Sequence, residues 1–429
     1  MQIVPISHPL SATVRVPGSK SLTNRALLIS SLAVGKTRLT NALFSDDSRY
    51  FAGALQALGF DVELDEPNCE MTVSGLGGRI PARKAELSIG NAGTAARFLT
   101  AMLSLGNGEY ILDGDSRMRE RPIGDLVAAL ARLGASLEAA SSNYPPVKIK
   151  ASGLQGGRTC IAGDTSSQFL SALLMVAPYA AFPVEIEVTS DLNSKPYVDM
   201  TIAIMKDFGI EVERNGYQSF SAPLATYQLQ STDPKSLISL YPIESDASAA
   251  SYFFAAPAIC GGAVQVEQIS RNSRQGDLAF LDVLAQMGCM VKEHDGQIQV
   301  TGARSLTGVD ADMRDIPDTA QTLAAIAPFA STPTRIRGIA SARLKETDRV
   351  QATCTELARL GVRVEEHEDG MTIYPCEKFA PVTVQTYNDH RMAMAFSLIG
   401  LRVPGVRIEN PACVSKTFPG YFGVLESLR

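Results

Sequence analysis

Six apolar, helix-forming segments recur along the chain at nearly constant pitch, and a repeat of this length restricts the fold more tightly than any single motif. They are SLTNRALLISSLA from Ser21, TAARFLTAMLSL from Thr94, SSQFLSALLMVA from Ser166, ASAASYFFAAPAI from Ala247, TAQTLAAIAPFA from Thr319 and RMAMAFSLIGL from Arg391. Successive starts are 73, 72, 81, 72 and 72 residues apart. A second phrase keeps the same pitch: LQALGFDVE, LARLGASLE, MKDFGIEVE, LAQMGCMVK and LARLGVRVE, with glycines at Gly59, Gly134, Gly209, Gly288 and Gly361. Each reads as a helix closed by a C-terminal glycine and followed by an alternating strand. The pitch is too long for a solenoid repeat of roughly 20–50 residues, so each unit is a small α/β fold in itself.

A sixth glycine at that pitch would lie past Arg429, which makes FGVLESLR the last helix and leaves its closing strand to come from elsewhere. The first residues, MQIVPI and ATVRV, can supply it. The expectation is a circularly closed array of six units, three per half. One domain would run from Ser21 to Leu240; the other would join residues 1–20 to Tyr241–Arg429. Pro17-Gly18 and Tyr241-Pro242 punctuate the chain where it would cross, giving hinges near 17–20 and 240–243. The long third step places an insertion or crossover between Val212 and Asp246.

At 429 residues there is ample chain for two or three domains. A net charge of −6 without a dominant basic run argues against general attraction to nucleic acid or anionic lipid. No apolar span approaches the ~20 residues of a membrane helix, and MQIVPISHPL lacks the charged start and apolar middle of a signal peptide. A cytoplasmic location and a monomeric state are the default expectations. The seven cysteines are scattered without a C-x-x-C pair, which suggests reduced thiols and no zinc or redox motif. With only four histidines, an imidazole-based metal site is not expected; His294 and His367, in EHDG and EEHEDG, read as residues of hairpin turns.

In the first half the helices open with VPGSKSLTNR, IGNAGTAAR and GDTSSQ, combining glycine, hydroxyls and cations with no carboxylate in the first turn. Free N–H groups at such termini, backed by the helix dipole, favour an anion. In the second half the matching starts carry Asp246, Asp318 and Asp389. The ordinary role of such residues is an N-cap. If the halves close face to face, Asp318 would also lie opposite an anion-binding wall, where it could accept a proton from a bound hydroxyl. Further charge gathers in RMRERPIGDL (Arg117, Arg119, Arg121), LKETDR (Lys345, Glu346, Arg349), NDHR (His390, Arg391) and at Lys416. Arginine forks match phosphate and carboxylate geometry, and lysine adds a compact charge. Gly35-Lys36-Thr37 imitates the tail of a P-loop, but Ser30 stands where that loop needs a glycine, and the stretch follows a helix instead of a strand.

An ordered set of strings along essentially the whole chain resembles the 5-enolpyruvylshikimate-3-phosphate (EPSP) synthase family of enolpyruvyl transferases. It comprises PGSKSLTNRALL, GNAGTAARFL, RMRERPIG, NYPP, SSQFLSALLM, SKPYVD, DASAASYF, RNSRQGD, IPDTA, KETDR, YNDHRMAM and SKTFPGYF. The resemblance implies a fold of the α/β (α+β) class, a two-domain inside-out α/β barrel of six βαβαββ-type repeats. The implied reaction moves the enolpyruvyl group of phosphoenolpyruvate to the 5-hydroxyl of shikimate 3-phosphate and releases phosphate, with no metal or organic cofactor.

The same resemblance implies the site residues. Asp318 would be the base, Glu346 the proton carrier at the methylene carbon, and Lys20 a stabiliser of transition-state charge, with His390 adjacent. Lys20, Gly93, Arg121, Gln168, Arg349, Arg391 and Lys416 would bind phosphoenolpyruvate. Ser21, Arg25, Ser166, Ser167, Gln168, Ser194, Tyr197, Asp318, Ser341 and Lys345 would bind shikimate 3-phosphate. Both domains would contribute, and their closure would exclude water. The chain departs from the usual family pattern at Ser341, where asparagine is common, and at Ala96 and Phe98, where methionine and proline are. Two rival readings stand beside it. A transferase acting on UDP-N-acetylglucosamine would share the fold, yet its reactive cysteine has no counterpart in DSRMRE before Arg121-Pro122. A non-catalytic anion-binding homologue would be expected to lack Lys20, Asp318 or Glu346, and all three are present.

Overall fold

The computed structural model describes residues 1–141, 143–230 and 236–429. The chain divides into two compact units, one formed by Gly18–Ile243 and the other by Met1–Pro17 with Glu244–Arg429, so it passes between them at 17–18 and 243–244.

Within Gly18–Ile243 three four-stranded sheets share one plan. In the first, Val34–Thr40 runs parallel to Ile238–Pro242 and antiparallel to Glu70–Leu76, which pairs in turn with Val62–Asp65. The second repeats the order with Lys84–Ser88, Asn107–Asp113, Tyr144–Ser152 and Ser136–Ala140. The third uses Gly157–Ile161, Val184–Val188, Ser219–Ala222 and Glu213–Asn215. In the second and third sheets an apolar helix joins the parallel pair, because a parallel connection needs a crossover; in the first, the equivalent helix only leads into Val34–Thr40. These helices are Lys20–Leu32, Gly93–Leu103 and Ser167–Val176. In the first sheet the edge strand Ile238–Pro242 comes after the helix in sequence instead of before it, and the chain that reaches it accounts for the long third step. After Ser219–Ala222 the chain returns to the first sheet as its parallel edge, and residues 231–235 of that passage lie outside the described residues.

The other unit repeats the plan twice: Leu10–Val14, Gly262–Val266, Gln297–Thr301 and Met290–His294 form one sheet, and Asp310–Asp312, Thr334–Arg337, Gly370–Ile373 and Val364–His367 form the next. Its third sheet is a parallel pair, Thr383–Val384 with Arg407–Ile408. The first residues of the chain serve both ends of this unit. Leu10–Val14 completes the first of its sheets, while Gln2 bridges Arg407 antiparallel, with Ile3 N donating to Val406 O at 3.0 Å. MQIVPI therefore lies where the missing hairpin would, whereas ATVRV serves a different sheet from the one its position suggests.

All five phrase glycines adopt φ between 83° and 102°, the left-handed conformation that ends a helix without a Cβ clash. The hairpin at His294 turns on Asp295-Gly296, both at positive φ. The one at His367 turns on Glu368-Asp369 instead, with Gly370 paired to His367 inside the ladder. Each unit has its own apolar core, built on the buried faces of its helices and alternate strand positions. Among the described residues no helix is long and apolar enough to cross a membrane, and no cysteine is disulfide-bonded.

Candidate active site

In Gly18–Ile243 the helix starts carry the charge. Ser19 caps the helix Lys20–Leu32, its Oγ accepting from Leu22 N at 3.4 Å. Lys20, the first helical residue, points its ammonium at the buried Asp47, Nζ to Oδ2 3.6 Å. One turn on, Arg25 is buried among neutral acceptors: Nε donates to Thr201 Oγ1 at 2.7 Å, Nη1 to Ser21 O at 3.0 Å and Nη2 to Tyr197 O at 3.1 Å. Its guanidinium lies 5.2 Å from the Phe98 ring centre, so the unusual aromatic at that position packs against a site cation. Burial without a carboxylate partner lowers the Arg25 pKa to about 10.

The helix Gly93–Leu103 begins against Arg121. That arginine is buried and fixed by Asn91, Nη1 donating to its main-chain oxygen at 3.1 Å and to Oδ1 at 2.9 Å. A Cβ on Gly93 would stand 2.9 Å from Arg121 Cζ and closer still to Nη2, so only glycine lets the guanidinium lie across the helix start. Ser166 caps the next helix by accepting from Gln168 N at 3.3 Å, and Gln168 Nε2 reaches Thr94 Oγ1 at 3.5 Å. Ser167 follows on the same turn, and Ser194 stands at the start of Lys195–Asp207 with φ 57°. Thus Ser21, Arg25 and Tyr197 are joined by one hydrogen-bond set, and Gly93, Arg121 and Gln168 gather around a second helix start.

The other unit holds a compact ion-pair network. Asp318 sits in the single turn Pro317–Thr319. Its Oδ1 accepts from Arg349 Nη1 at 3.1 Å and its Oδ2 from Arg391 Nη2 at 2.6 Å, while Arg391 Nη1 donates to its main-chain oxygen at 2.9 Å. Arg349 also holds Glu346 Oε2 at 2.7 Å and Asp389 Oδ2 at 2.7 Å. Lys416 Nζ stands 3.7 Å from Glu346 Oε1, and the buried His390 places Nδ1 3.6 Å from Asp389 Oδ1. Burial opposes the charge of Arg349, but Asp389, Glu346 and Asp318 outweigh it and raise its pKa above the ordinary value.

Asp246 and Asp389 are N-caps, accepting from Ala249 N at 2.8 Å and Arg391 N at 2.9 Å. Asp389 has a second task as a partner of Arg349, which its cap position conceals. Lys345 precedes Glu346, and Ser341 lies half-buried on the turn Ala340–Leu344; among the described residues no hydrogen bond joins Ser341 to the network. Two arginines of RMRERPIG do not share the burial of Arg121: Arg117 pairs with Glu120 at 2.8 Å and Arg119 with Asp113 at 2.5 Å, both in the neighbourhood of solvent. Gly35-Lys36-Thr37 lies inside the strand Val34–Thr40, where Lys36 meets Asp61 and Glu63, and no helix start follows it to form a phosphate loop. The sequence reading missed Asp47, Asn91 and Asp277. Asp277 is buried beside Ser248, and burial, reinforced by the charge of Asp318, raises its pKa.

A family model described as EPSP synthase (3-phosphoshikimate 1-carboxyvinyltransferase) matches residues 4–425. A 3-phosphoshikimate 1-carboxyvinyltransferase from Nostoc punctiforme is 49% identical over 424 residues, covering 98% of this chain and 97% of that relative. One from Vibrio atlanticus is 47% identical over 421 residues, covering 98% and 97%. Among solved structures, EPSP synthase from Acinetobacter baumannii superposes with a TM-score of 0.81 at 26% identity, covering 99% of this chain and 97% of that one. The enolpyruvyl transferase NikO from Streptomyces tendae shares the fold, with a TM-score of 0.73 at 18% identity, covering 100% and 96%.

Proposed function

The chain belongs to the EPSP synthase family, and on that premise we infer that it transfers the enolpyruvyl group of phosphoenolpyruvate to the 5-hydroxyl of shikimate 3-phosphate. The reaction is an addition followed by an elimination. The hydroxyl oxygen adds to C2 of the enolpyruvate while C3 gains a proton, giving a tetrahedral ketal phosphate. Loss of a C3 proton and of phosphate then restores the double bond in the product.

The observation that carries the residue roles is the network on Arg349 and Arg391, where two carboxylates suited to proton transfer are set among buried cations. Asp318 would take the hydroxyl proton; Glu346, protonated once both substrates are bound, would deliver its proton to C3, and as the carboxylate so formed would take one back in the second step. By resemblance to the family, Arg349, Arg391 and Lys416 would bind the enolpyruvate anion, and so would Lys20, Gly93, Arg121 and Gln168. Lys20 would offset charge on the phosphate as it leaves. Ser21, Arg25, Ser166, Ser167, Gln168, Ser194, Tyr197 and Lys345 would hold the shikimate ester, with Ser341 at the edge of that set. His390, buried next to Asp389, would orient the start of the helix that carries Arg391. Two multiply anionic substrates explain why an acidic chain concentrates buried cations in this way.

The recurrent strand order supports reading the fold as six βαβαββ-type units of an inside-out barrel, three in each compact unit. The decisive experiment measures phosphate release with phosphoenolpyruvate and shikimate 3-phosphate, with UDP-N-acetylglucosamine as the parallel acceptor. Release with the shikimate ester alone is expected. Release with the sugar nucleotide alone would reassign the acceptor, and release with neither would refute the reading.

A further inference from the structure

Arg391 turns both terminal nitrogens onto a single residue, Nη1 to the main-chain oxygen of Asp318 and Nη2 to its Oδ2, and Arg349 takes the remaining oxygen. A carboxylate gripped by two guanidinium groups is the arrangement a carboxylate ligand would adopt on the same pair. Asp318 thus stands in for the anion that these arginines would bind. The surrounding charges make the substitution consequential. Arg349, Arg391 and Lys416 face Asp318, Glu346 and Asp389, so these six groups carry no net charge. An arriving anion gains little from a balanced set unless a resident carboxylate gives up its partners.

The three carboxylates differ in how firmly they are held. Asp389 is fully buried, caps the helix His390–Gly400 and is held twice by Arg349. Glu346 lies between Arg349 and Lys416 with 7% of its side chain exposed. Asp318 is 18% exposed and stands on one short turn. It is the most solvent-exposed of the three.

We propose that the carboxylate of phosphoenolpyruvate displaces Asp318 from Arg391 and Arg349, so that binding of the enolpyruvate itself releases the base. This rests on the functional reading given above. Before the exchange both oxygens of Asp318 accept from arginines; afterwards they can turn to the hydroxyl proton. No covalent bond forms or breaks in the exchange, which trades one set of charge-assisted hydrogen bonds for another. Deprotonation of the acceptor is thereby withheld until the group that will receive its oxygen is in place.

The test is calorimetric titration of phosphoenolpyruvate alone into the wild-type chain and the variants D318N, D318A and D312N. Asp312 lies in the same unit but pairs with Arg337 at the surface. Removing the internal competitor should tighten binding about fivefold or more in D318N and D318A, although both lose turnover, and should leave D312N like the wild type. Unchanged or weaker binding in the Asp318 variants overturns the exchange. Equal tightening in D312N overturns it too, by assigning the effect to net charge. Circular dichroism establishes that each variant is folded, and D318A carries the test if D318N does not fold. Wild-type turnover is assayed alongside: its absence would remove the functional reading, whereas turnover without tightening removes the exchange alone.

Discussion

Replacing Gly93 with alanine tests the proposed enolpyruvate-binding role of Gly93 and Arg121, because the perturbation is a single methyl group of known direction. The new Cβ would lie 2.9 Å from Arg121 Cζ and 3.0 Å from Nη1, whereas carbon atoms pack comfortably at about 3.5–4.0 Å. The guanidinium must retreat by about 0.6 Å or more, which also disturbs its hydrogen bonds to Asn91. The helix itself should tolerate the change. Gly93 has no positive φ and opens an α-helix, where alanine is favoured over glycine by about 0.5–1 kcal/mol. If Arg121 binds the substrate as proposed, its charge-assisted hydrogen bond would be worth about 1.5–3 kcal/mol. Its loss should raise the KM for phosphoenolpyruvate roughly 10- to 150-fold, with the KM for shikimate 3-phosphate nearly unchanged and the melting temperature equal or higher. Steady-state phosphate release with each substrate varied in turn, plus a thermal melt, reads all three quantities. A phosphoenolpyruvate KM within twofold of wild type, or a melting temperature several degrees lower, would refute the argument.

Other perturbations separate binding from folding. Lys416→Ala should act mainly on the KM for phosphoenolpyruvate, and an effect confined to shikimate 3-phosphate would show that Lys416 holds the other substrate. Glu356 is fully buried and accepts from Arg359 Nη1 at 2.6 Å, Tyr387 Oη at 2.9 Å and Gln385 N at 3.1 Å. Glu356→Ala strands those donors and should cost about 2–5 kcal/mol; a denaturant midpoint equal to wild type would contradict this. Asp277 has a folded pKa raised by burial, so its contribution to stability is complete below the unfolded pKa and is lost as pH rises through the folded value. Denaturation at pH 5 and pH 8 should therefore show a loss at the higher pH that is smaller in D277N, and identical losses in both proteins would exclude Asp277 as its source.

The repeat was legible because it is written in local chemistry. Apolar runs, caps such as Ser166 and Asp246, and left-handed glycines such as Gly134 all act within a few residues of themselves. Partners distant in sequence were less legible. Nothing in ATVRV says that it pairs with Gly262–Val266, since both strands alternate in the ordinary way and register is set only by the assembled sheet. The site shows the same division. Arg117 and Arg119 look like Arg121 in sequence, and what sets Arg121 apart is its burial with Asn91 and Gly93 against it. Asp47 gave no signal because it sits in the first turn of its own helix, where an acid is unremarkable, yet it faces Lys20. Asp389 was read as a cap and is one, but an oxygen pair can serve a backbone N–H and a guanidinium together.

The first sixteen residues have their partners near Gly262 and near Arg407. During synthesis they emerge before their partners: Leu10–Val14 must wait for Gly262–Val266 and Gln2 for Arg407, while the chain grows at about 5–20 residues per second. Gly18–Ile243, by contrast, draws every strand of its sheets from one continuous stretch. It can fold while the ribosome is still at work, whereas the other unit must begin with its opening strand held in reserve. Nascent chains arrested after residue 300 should therefore contain a protease-resistant core from the first stretch and a leading segment that is still cut.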